Sequence, residues 1–249
     1  SELERMNTEM DAARKIAERA QQEAEHANSA KQDFLSSMSH DIRTPMNAII
    51  GMTSIALANT HDQEQVQECL RKIELSSNHL LGLINDVLDM SKIESGKMTL
   101  NIAPISLREV MDSIVNIVQP QVKAKNLQFD TVVHDILAEN VRCDSVRLNQ
   151  VLINLLGNSV KFTQDNGSVQ VTLYQEALPE DTSRVRTHFL VSDTGIGMSR
   201  EYQEKLFDSF SREDNAQVQK TEGSGLGMAI TKYIVDAMNG TIELKSEKG

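Results

Sequence analysis

Residues 1–30 carry small apolar side chains in steps of three and four, with polar residues between them. This spacing predicts a helix with an a/d heptad seam, which is typical of a coiled coil. Because alanine predominates, the seam buries little area per turn and the coiled coil is expected to be weak; a single amphipathic surface helix is the alternative. The seam comprises Leu3, Met6, Met10, Ala13, Ala17, Ala20, Ala24 and Ala27.

A second apolar stripe predicts that the same helix continues to about Ala58. At about 100° per residue the stripe fills one narrow arc, whereas His40 lies close to the opposite side and should face water. Pro45 falls within this helix and cannot donate to the carbonyl of Asp41, so we expect the helix to continue with one backbone bond missing. The stripe comprises Leu35, Met38, Ile42, Met46 and Ile49.

After the polar turn NTHDQEQ, a wider apolar stripe predicts a second long helix, which Gly96 would cap at its C-terminus. Two antiparallel helices cannot hide such wide stripes from water by themselves. We therefore expect two copies of the helical hairpin to form a dimeric four-helix bundle, entered through the coiled coil. The stripe comprises Val66, Leu70, Ile73, Ser77, Leu80, Leu81, Ile84, Val87, Leu88 and Ser91.

Beyond Gly96 the periodicity changes and predicts strands that alternate irregularly with helices. This order is typical of an α+β two-layer sandwich in which helices cover one face of a sheet. The chain is thus expected to be multidomain, all-α at first and α+β afterwards. Predicted strands lie at KMTLNIAPISL, LQFDTVV, GSVQVTLYQEAL, RTHFLVSD and TIELKS, and predicted helices lie at about 107–123, 144–162, 200–210 and 228–238.

Composition and charge narrow the classes of function. The formal net charge is −11 and no basic cluster could track phosphates, so nucleic-acid binding is not expected. Cys69 and Cys143 lie far apart without CxxC spacing, which favours a reducing compartment over disulfides or zinc. The chain has no apolar run of about 18 residues and no signal peptide, so it is expected to be cytoplasmic, by itself or as the cytoplasmic part of a membrane-anchored parent protein.

Two glycine-rich stretches, DTGIGM (193–198) and GSGLGM (223–228), are candidate nucleotide contacts. Neither is followed by the Gly-Lys-Ser/Thr of a P-loop, and each alone could be a tight turn. The second opens a helix, where backbone N–H groups can bind an anion. Asp193 ends a strand and only accepts hydrogen bonds when ionised, so it suits the exocyclic amine of adenine better than a phosphate.

One face of the predicted helix in RLNQVLINLLGNSVKFT carries Asn154, Asn158 and Lys161 at positions i, i+4 and i+7. A solvated polar face is one interpretation of this spacing. The other is a triphosphate site, with an amide oxygen on Mg²⁺ and the lysine ammonium on a phosphate oxygen.

Together these stretches resemble the catalytic core of the sensor histidine kinases of two-component signalling, over nearly the whole chain. FLSSMSHDIRTPMNAIIG is similar to their H box and LNQVLINLLGNSVKFT to their N box. DTGIGM is similar to their first glycine box, LFDSFSRED to their F box and GSGLGMAI to their second glycine box. The resemblance implies an ATP- and Mg²⁺-dependent protein histidine kinase that is a homodimer and passes its phosphoryl group to the receiver domain of a response regulator.

The resemblance also implies a role for each motif residue. His40 would accept the phosphoryl group, Asp41 would orient or deprotonate its imidazole, and Thr44 would help to position water when the regulator is dephosphorylated. Asn158 would coordinate Mg²⁺ with Asn154 beside it, and Lys161 would contact phosphate. Asp193 would bind the adenine amine, with Gly195 and Gly197 around it. The residues at the lid hinge and the phosphates would be Gly223, Gly225, Leu226 and Gly227, and the anchors of a lid over about 211–222 would be Phe207 and Phe210.

Asn154 distinguishes a histidine kinase from the ATP-hydrolysing proteins of similar fold. Those proteins carry a glutamate at this position to activate water, and an amide cannot act as that base. The same motifs would also suit a scaffold that only binds nucleotide, or a member of the family in which phosphatase activity dominates. Ser159 stands where alanine is more usual in the resembled family.

The resemblance divides the chain into three expected segments. These are a coiled-coil signalling helix over 1–30, a dimerisation and histidine phosphotransfer domain over 31–96, and a catalytic ATP-binding domain over 97–249. The last is expected to be truncated at its C-terminus, because the resembled family continues there with a glycine turn and at least one closing strand.

Overall fold

A computed structural model describes residues 38–181, 183–209, 211 and 225–248, together with three helical residues at 14, 18 and 21. The predicted coiled coil lies outside the described residues except for these three. The chain divides into two compact units, Ser1–Asn85 and Asp86–Gly249. In the described ranges no helix combines the length and the apolar character needed to cross a membrane.

A helical hairpin forms the first unit and extends into the second. Helix α1 spans 38–58 and continues unbroken through Pro45, as predicted, and helix α2 spans Gln63–Glu94. Between them Asp62 caps α2, because its Oδ1 accepts a hydrogen bond of 3.0 Å from the backbone N–H of Gln65.

Gly96 ends α2 as the sequence predicts. Its φ is +63°, in the left-handed region that glycine adopts without strain. The N–H of Gly96 donates to the carbonyl of Ile93 at 3.0 Å and that of Lys97 donates to the carbonyl of Lys92 at 2.9 Å. These two bonds form a Schellman motif, which satisfies carbonyls that the helix leaves free.

The second unit is an α+β sandwich, which confirms the predicted fold class for this part of the chain. Its elements in chain order are β1 (Ala103–Ser106), α3 (Leu107–Ala124), β2 (Gln128–Val133), β3 (Asn140–Cys143), α4 (Ser145–Phe162), β4 (Ser168–Ala177), β5 (Val185–Asp193), α5 (Arg200–Gln203) and α6 (Gly227–Ala237).

Three strands form a mixed sheet in the order β2-β4-β5, in which β2 pairs parallel and β5 antiparallel to the central β4. Strands β1 and β3 form a separate antiparallel pair. Apolar residues of α3 and α4 pack together with the inward-facing positions of β4, and this layer is the core. Its most deeply buried members include Ile114, Leu152, Leu156, Val169 and Val171.

Three sequence predictions in this unit need correction, and one strand was not predicted. The predicted strand TIELKS forms no ladder, because the Ser246 hydroxyl and carbonyl bond instead to the Met198 N–H and the Gln203 amide, at 3.0 Å each. Within the predicted strand KMTLNIAPISL, only the four residues of β1 form a strand. Strand β3, which pairs with β1, was not predicted. The helix predicted over about 200–210 ends at Gln203, because from Lys205 onwards the backbone bonds reach back three residues rather than four.

Candidate active site

His40 lies on the exposed face of α1, as the helical periodicity predicts. Its side chain is 79% exposed, whereas that of Asp41 is 23% exposed. The His40 Nδ1 and the Asp41 Oδ1 are 3.4 Å apart, which is a long contact between adjacent residues of one helix. The imidazole thus has a carboxylate on one ring nitrogen and water around the rest of the ring.

Thr44 lies one helical turn after His40. Its hydroxyl donates to the backbone carbonyl of His40 at 3.1 Å, and the residue is exposed. The three H-box candidates His40, Asp41 and Thr44 are therefore neighbours on one stretch of α1, with an acid, an imidazole and a hydroxyl within five residues.

Asn154 and Asn158 point from α4 towards α6. The Asn154 Nδ2 donates to the hydroxyl of Thr231 at 2.8 Å, and the Nδ2 of Asn158 lies 3.5 Å from the Met228 sulfur. A Cβ at Gly227 would lie 2.5 Å from the Asn154 Oδ1, so the start of α6 approaches α4 too closely for any other residue to fit without displacing that amide.

Asp193 is held at the end of β5 by donors from two segments. The Ser159 hydroxyl of α4 donates to its Oδ2 at 2.7 Å, and the backbone N–H of Gly195 donates to its Oδ1 at 2.9 Å. A Cβ at Gly195 would lie 2.7 Å from that carboxylate and 2.9 Å from the carbonyl of Phe162, so this turn has room only for glycine.

Further described candidates are one lysine of the N box and three residues of the two glycine boxes. Lys161 is in the last turn of α4, with its Nζ 4.9 Å from the centroid of the Phe162 ring. Gly197 and Gly225 have φ values of +63° and +68°, which favour glycine. Leu226 is fully buried immediately before α6.

Phe207 is half-buried in the turns that follow α5. Phe210, Gly223 and the predicted lid over about 211–222, apart from Ser211, lie outside the described residues.

The structure thus brings the two amides, the Asp193 carboxylate, Gly195 and Gly227 together against α4. The H-box residues belong to the first unit. Sequence reasoning missed Met228 and Thr231, although their i, i+3 spacing after Gly227 places them on one face of α6. It noted Ser159 only as a departure from a pattern, since spacing alone does not indicate that Ser159 contacts Asp193.

Two family models match the chain. The model described as "His Kinase A (phospho-acceptor) domain" matches residues 30–96. The model described as "Histidine kinase-, DNA gyrase B-, and HSP90-like ATPase" matches residues 143–249. The first contains the H-box candidates, and the second contains every candidate from Asn154 to Gly227.

Curated signalling proteins are similar to nearly the whole chain. The sensory/regulatory protein RpfC of Xanthomonas campestris is 41% identical over 92% of the chain, which spans 31% of RpfC. The signal transduction histidine-protein kinase BarA of Escherichia coli is 37% identical over 99% of the chain, which spans 26% of BarA. Full-length ShkA, solved in complex with AMPPNP, is 30% identical with a TM-score of 0.62, over 86% of this chain and 43% of ShkA. The chain therefore spans about a third or less of the length of RpfC and of BarA.

Proposed function

Because the chain belongs to the sensor histidine kinases of two-component signalling, we propose that it transfers the γ-phosphoryl group of ATP to His40. The group then passes to an aspartate in the receiver domain of a response regulator. The observation that carries this proposal is the exposed imidazole of His40, with its Nδ1 3.4 Å from the Asp41 carboxylate.

The contact with Asp41 favours one tautomer of His40. When Nδ1 carries the proton and donates it to Asp41, the lone pair lies on Nε2. Nε2 then forms the N–P bond as the bond between the γ-phosphorus and the bridging oxygen of ADP breaks. The proton on Nδ1 passes to Asp41 or to water, so the phosphorylated imidazole does not retain a positive charge.

The nucleotide would lie between α4 and α6. Asp193 would accept the adenine amine and Lys161 would contact phosphate, while AMPPNP in the related ShkA supports ATP as the donor. Mg²⁺ prefers oxygen ligands and shares them with nucleotide phosphates and water. Asn158 fits such an ion, because its described bond uses the amide nitrogen and the oxygen would be the ligand. A bound Mg²⁺ supplies positive charge to the phosphates.

Asn154 weighs against ATP hydrolysis as the main reaction. The Asn154 amide has no basic group with which to activate water, and its nitrogen donates to Thr231 at 2.8 Å. Positioning of ATP for transfer to a protein group is then the better interpretation.

Labelling with γ-³²P ATP and Mg²⁺ tests the proposal. The expected product is protein label that is stable in base and labile in acid, lost in His40→Gln and retained in His61→Gln, a substitution in the exposed turn after α1. Free phosphate without labelled protein would favour the hydrolase, and nucleotide binding without either product would favour the scaffold.

Thr44 supports a second activity, dephosphorylation of the response regulator. Its exposed hydroxyl, one turn from His40, could orient water at a phosphorylated partner. A Thr44→Ala variant should autophosphorylate normally and dephosphorylate the regulator slowly, whereas Thr53→Ala, further along the same helix, should do both normally. Equal dephosphorylation by the two variants would remove Thr44 from this role.

Exposed apolar stripes on both hairpin helices support a homodimer. In α2, Leu70, Leu81 and Ile84 are 56%, 57% and 42% exposed, and at about 100° per residue they fall within about 60° of one another. Met46 and Ile50 form a similar stripe on α1, 44% and 57% exposed. A second copy would cover these surfaces.

Analytical sedimentation measures whether the chain is a monomer or a dimer. Leu81→Asp should produce monomers. Leu75→Asp is the matched control, because Leu75 is also 57% exposed but lies about 140° from Leu70 around α2. Dimers that survive Leu81→Asp would refute the proposed interface.

The proposal keeps the three segments expected from the sequence, which are a signalling coiled coil over 1–30, a phosphotransfer domain over 31–96 and a catalytic domain over 97–249. It also keeps a cytoplasmic setting, in which Cys69 and Cys143 remain free thiols as they are in the structure.

A further inference from the structure

Ser159 connects α4 to the carboxylate that ends β5. Ser159 is only 8% exposed, and its hydroxyl donates to the Asp193 Oδ2 at 2.7 Å. The backbone N–H of Gly195 donates to the other oxygen at 2.9 Å. Both carboxylate oxygens therefore have one fixed donor, and each retains acceptor capacity for a further one.

The backbone of Ser159 is itself fixed. Its carbonyl accepts from the N–H of Thr163 at 3.0 Å and from the Thr163 hydroxyl at 2.6 Å, and Thr163 is 1% exposed. A donor on a fixed backbone restricts the partner it binds, so the Asp193 carboxylate has little freedom to rotate away.

We propose that Ser159 is a positioning residue for adenine recognition, which orients the Asp193 carboxylate towards the exocyclic amine. This inference rests on the proposed function, because it deepens the role of Asp193 in the nucleotide site. The alanine more usual at this place in the resembled family has no hydroxyl to donate. An oriented carboxylate accepts from the 6-amino group of adenine and opposes the 6-carbonyl of guanine, which is also an acceptor.

The test compares two nucleotides on two variants. Purine ribonucleoside 5′-triphosphate matches ATP except that it lacks the exocyclic amine. Ser159→Ala should weaken ATP binding by roughly fivefold to tenfold, comparable to the net contribution of one ordinary hydrogen bond, because Ser159 acts on ATP only through Asp193. It should change binding of the analogue by less than about twofold, because the analogue makes no bond to Asp193. In autophosphorylation, KM for ATP should rise while kcat at saturating ATP is unchanged.

Ser159→Cys distinguishes the effect of the hydrogen bond from the effect of side-chain volume. Cysteine keeps a side chain of similar size but is a weak donor, so this variant should show the same loss as Ser159→Ala. Normal ATP binding in Ser159→Cys would mean that packing, not hydrogen bonding, matters here. Ser192→Ala is the control, since Ser192 precedes Asp193 on β5 and is exposed.

Equal weakening of ATP and of the analogue, or no weakening of either, would overturn the role of Ser159. Asp193→Asn distinguishes that failure from failure of the proposed function. If Asp193→Asn weakens ATP binding while Ser159→Ala does not, only the present inference fails. If Asp193→Asn leaves ATP binding unchanged, the nucleotide site itself is wrongly assigned.

Discussion

The Arg147 Nη1 lies 2.7 Å from the Asp89 Oδ2, in an ion pair whose side chains are only 17% and 11% exposed. Gln150 donates to the same oxygen at 2.8 Å. The pair joins the last turns of α2 to the first turns of α4, the helix that carries Asn154 and Asn158. The end of α2 therefore belongs to the catalytic unit, to which a buried ion pair connects it.

Asp89→Asn should lower the free energy of unfolding by about 3 kcal/mol, because it leaves the buried Arg147 without its counter-charge. Urea unfolding followed by circular dichroism measures this loss. Glu68→Gln is the matched control, since Glu68 pairs with Arg71 at 2.8 Å on the exposed surface of α2, where water screens the pair. A loss no larger than in this control would contradict the structural importance of Asp89.

The ion pair of Asp89 with Arg147 also predicts how the free energy of unfolding depends on pH. Burial raises the pKa of Asp89, but hydrogen bonds from Arg147 and Gln150 outweigh burial, so its pKa lies below the usual value. A carboxylate whose pKa is lowered by folding stabilises the protein above its unfolded pKa, and this contribution is lost as the pH falls through the lowered pKa. The stability difference between the native protein and Asp89→Asn should therefore be largest near pH 7 and shrink below about pH 4. A difference that is constant with pH would show that Asp89 acts by shape alone.

Gln175 provides a second stability test. It is 3% exposed and its Oε1 accepts from the backbone N–H groups of Leu137 and Ala138, at 2.8 and 2.7 Å. Gln175→Ala should destabilise the unit by about 1–2 kcal/mol, because it removes two hydrogen bonds to part-buried backbone N–H groups. Gln170→Ala, at an exposed position of the same strand β4, should have little effect in the same thermal unfolding measurement. Similar losses for both would argue against the loop contacts.

Lys125 should stabilise the C-terminus of α4. Its ammonium donates to the carbonyls of Val160 and Lys161, at 2.9 and 3.0 Å, and to that of Thr163. Positive charge there also interacts favourably with the helix dipole. Lys125→Met should cost about 1–2 kcal/mol in urea unfolding, whereas Lys123→Met, exposed in the last turn of α3, should cost much less. Equal costs would show that the capping bonds contribute little.

Two glycines next to the proposed nucleotide site should respond differently to replacement by alanine. Gly227→Ala would displace the Asn154 amide, whose Oδ1 lies 2.5 Å from the new Cβ, and should weaken ATP binding at least tenfold. Gly157 lies in α4 with nothing within 4 Å of a Cβ, so Gly157→Ala should bind ATP normally and raise stability by up to about 1 kcal/mol. Calorimetric titration with ATP compares the two, and unchanged affinity in Gly227→Ala would contradict the close approach.

Local pattern was enough to predict much of this protein. The continuation of α1 through Pro45, the cap at Gly96 and the extents of α3 and α4 follow from periodicity and from the backbone properties of proline and glycine. The exposure of His40 was predicted for the same reason, because a helix places each side chain at a fixed angle from its neighbours. These features depend on residues a few positions apart.

Tertiary structure decided the features that depend on residues distant in sequence. TIELKS has the alternation of a strand, but a strand exists only when a partner supplies its ladder, and residues 240–248 form none. Likewise β3 is a strand because β1 pairs with it. The contact of Ser159 with Asp193 spans 34 positions and that of Asp89 with Arg147 spans 58. Periodicity determines which way a side chain points along its own helix or strand, whereas only the packing of whole elements determines what it meets.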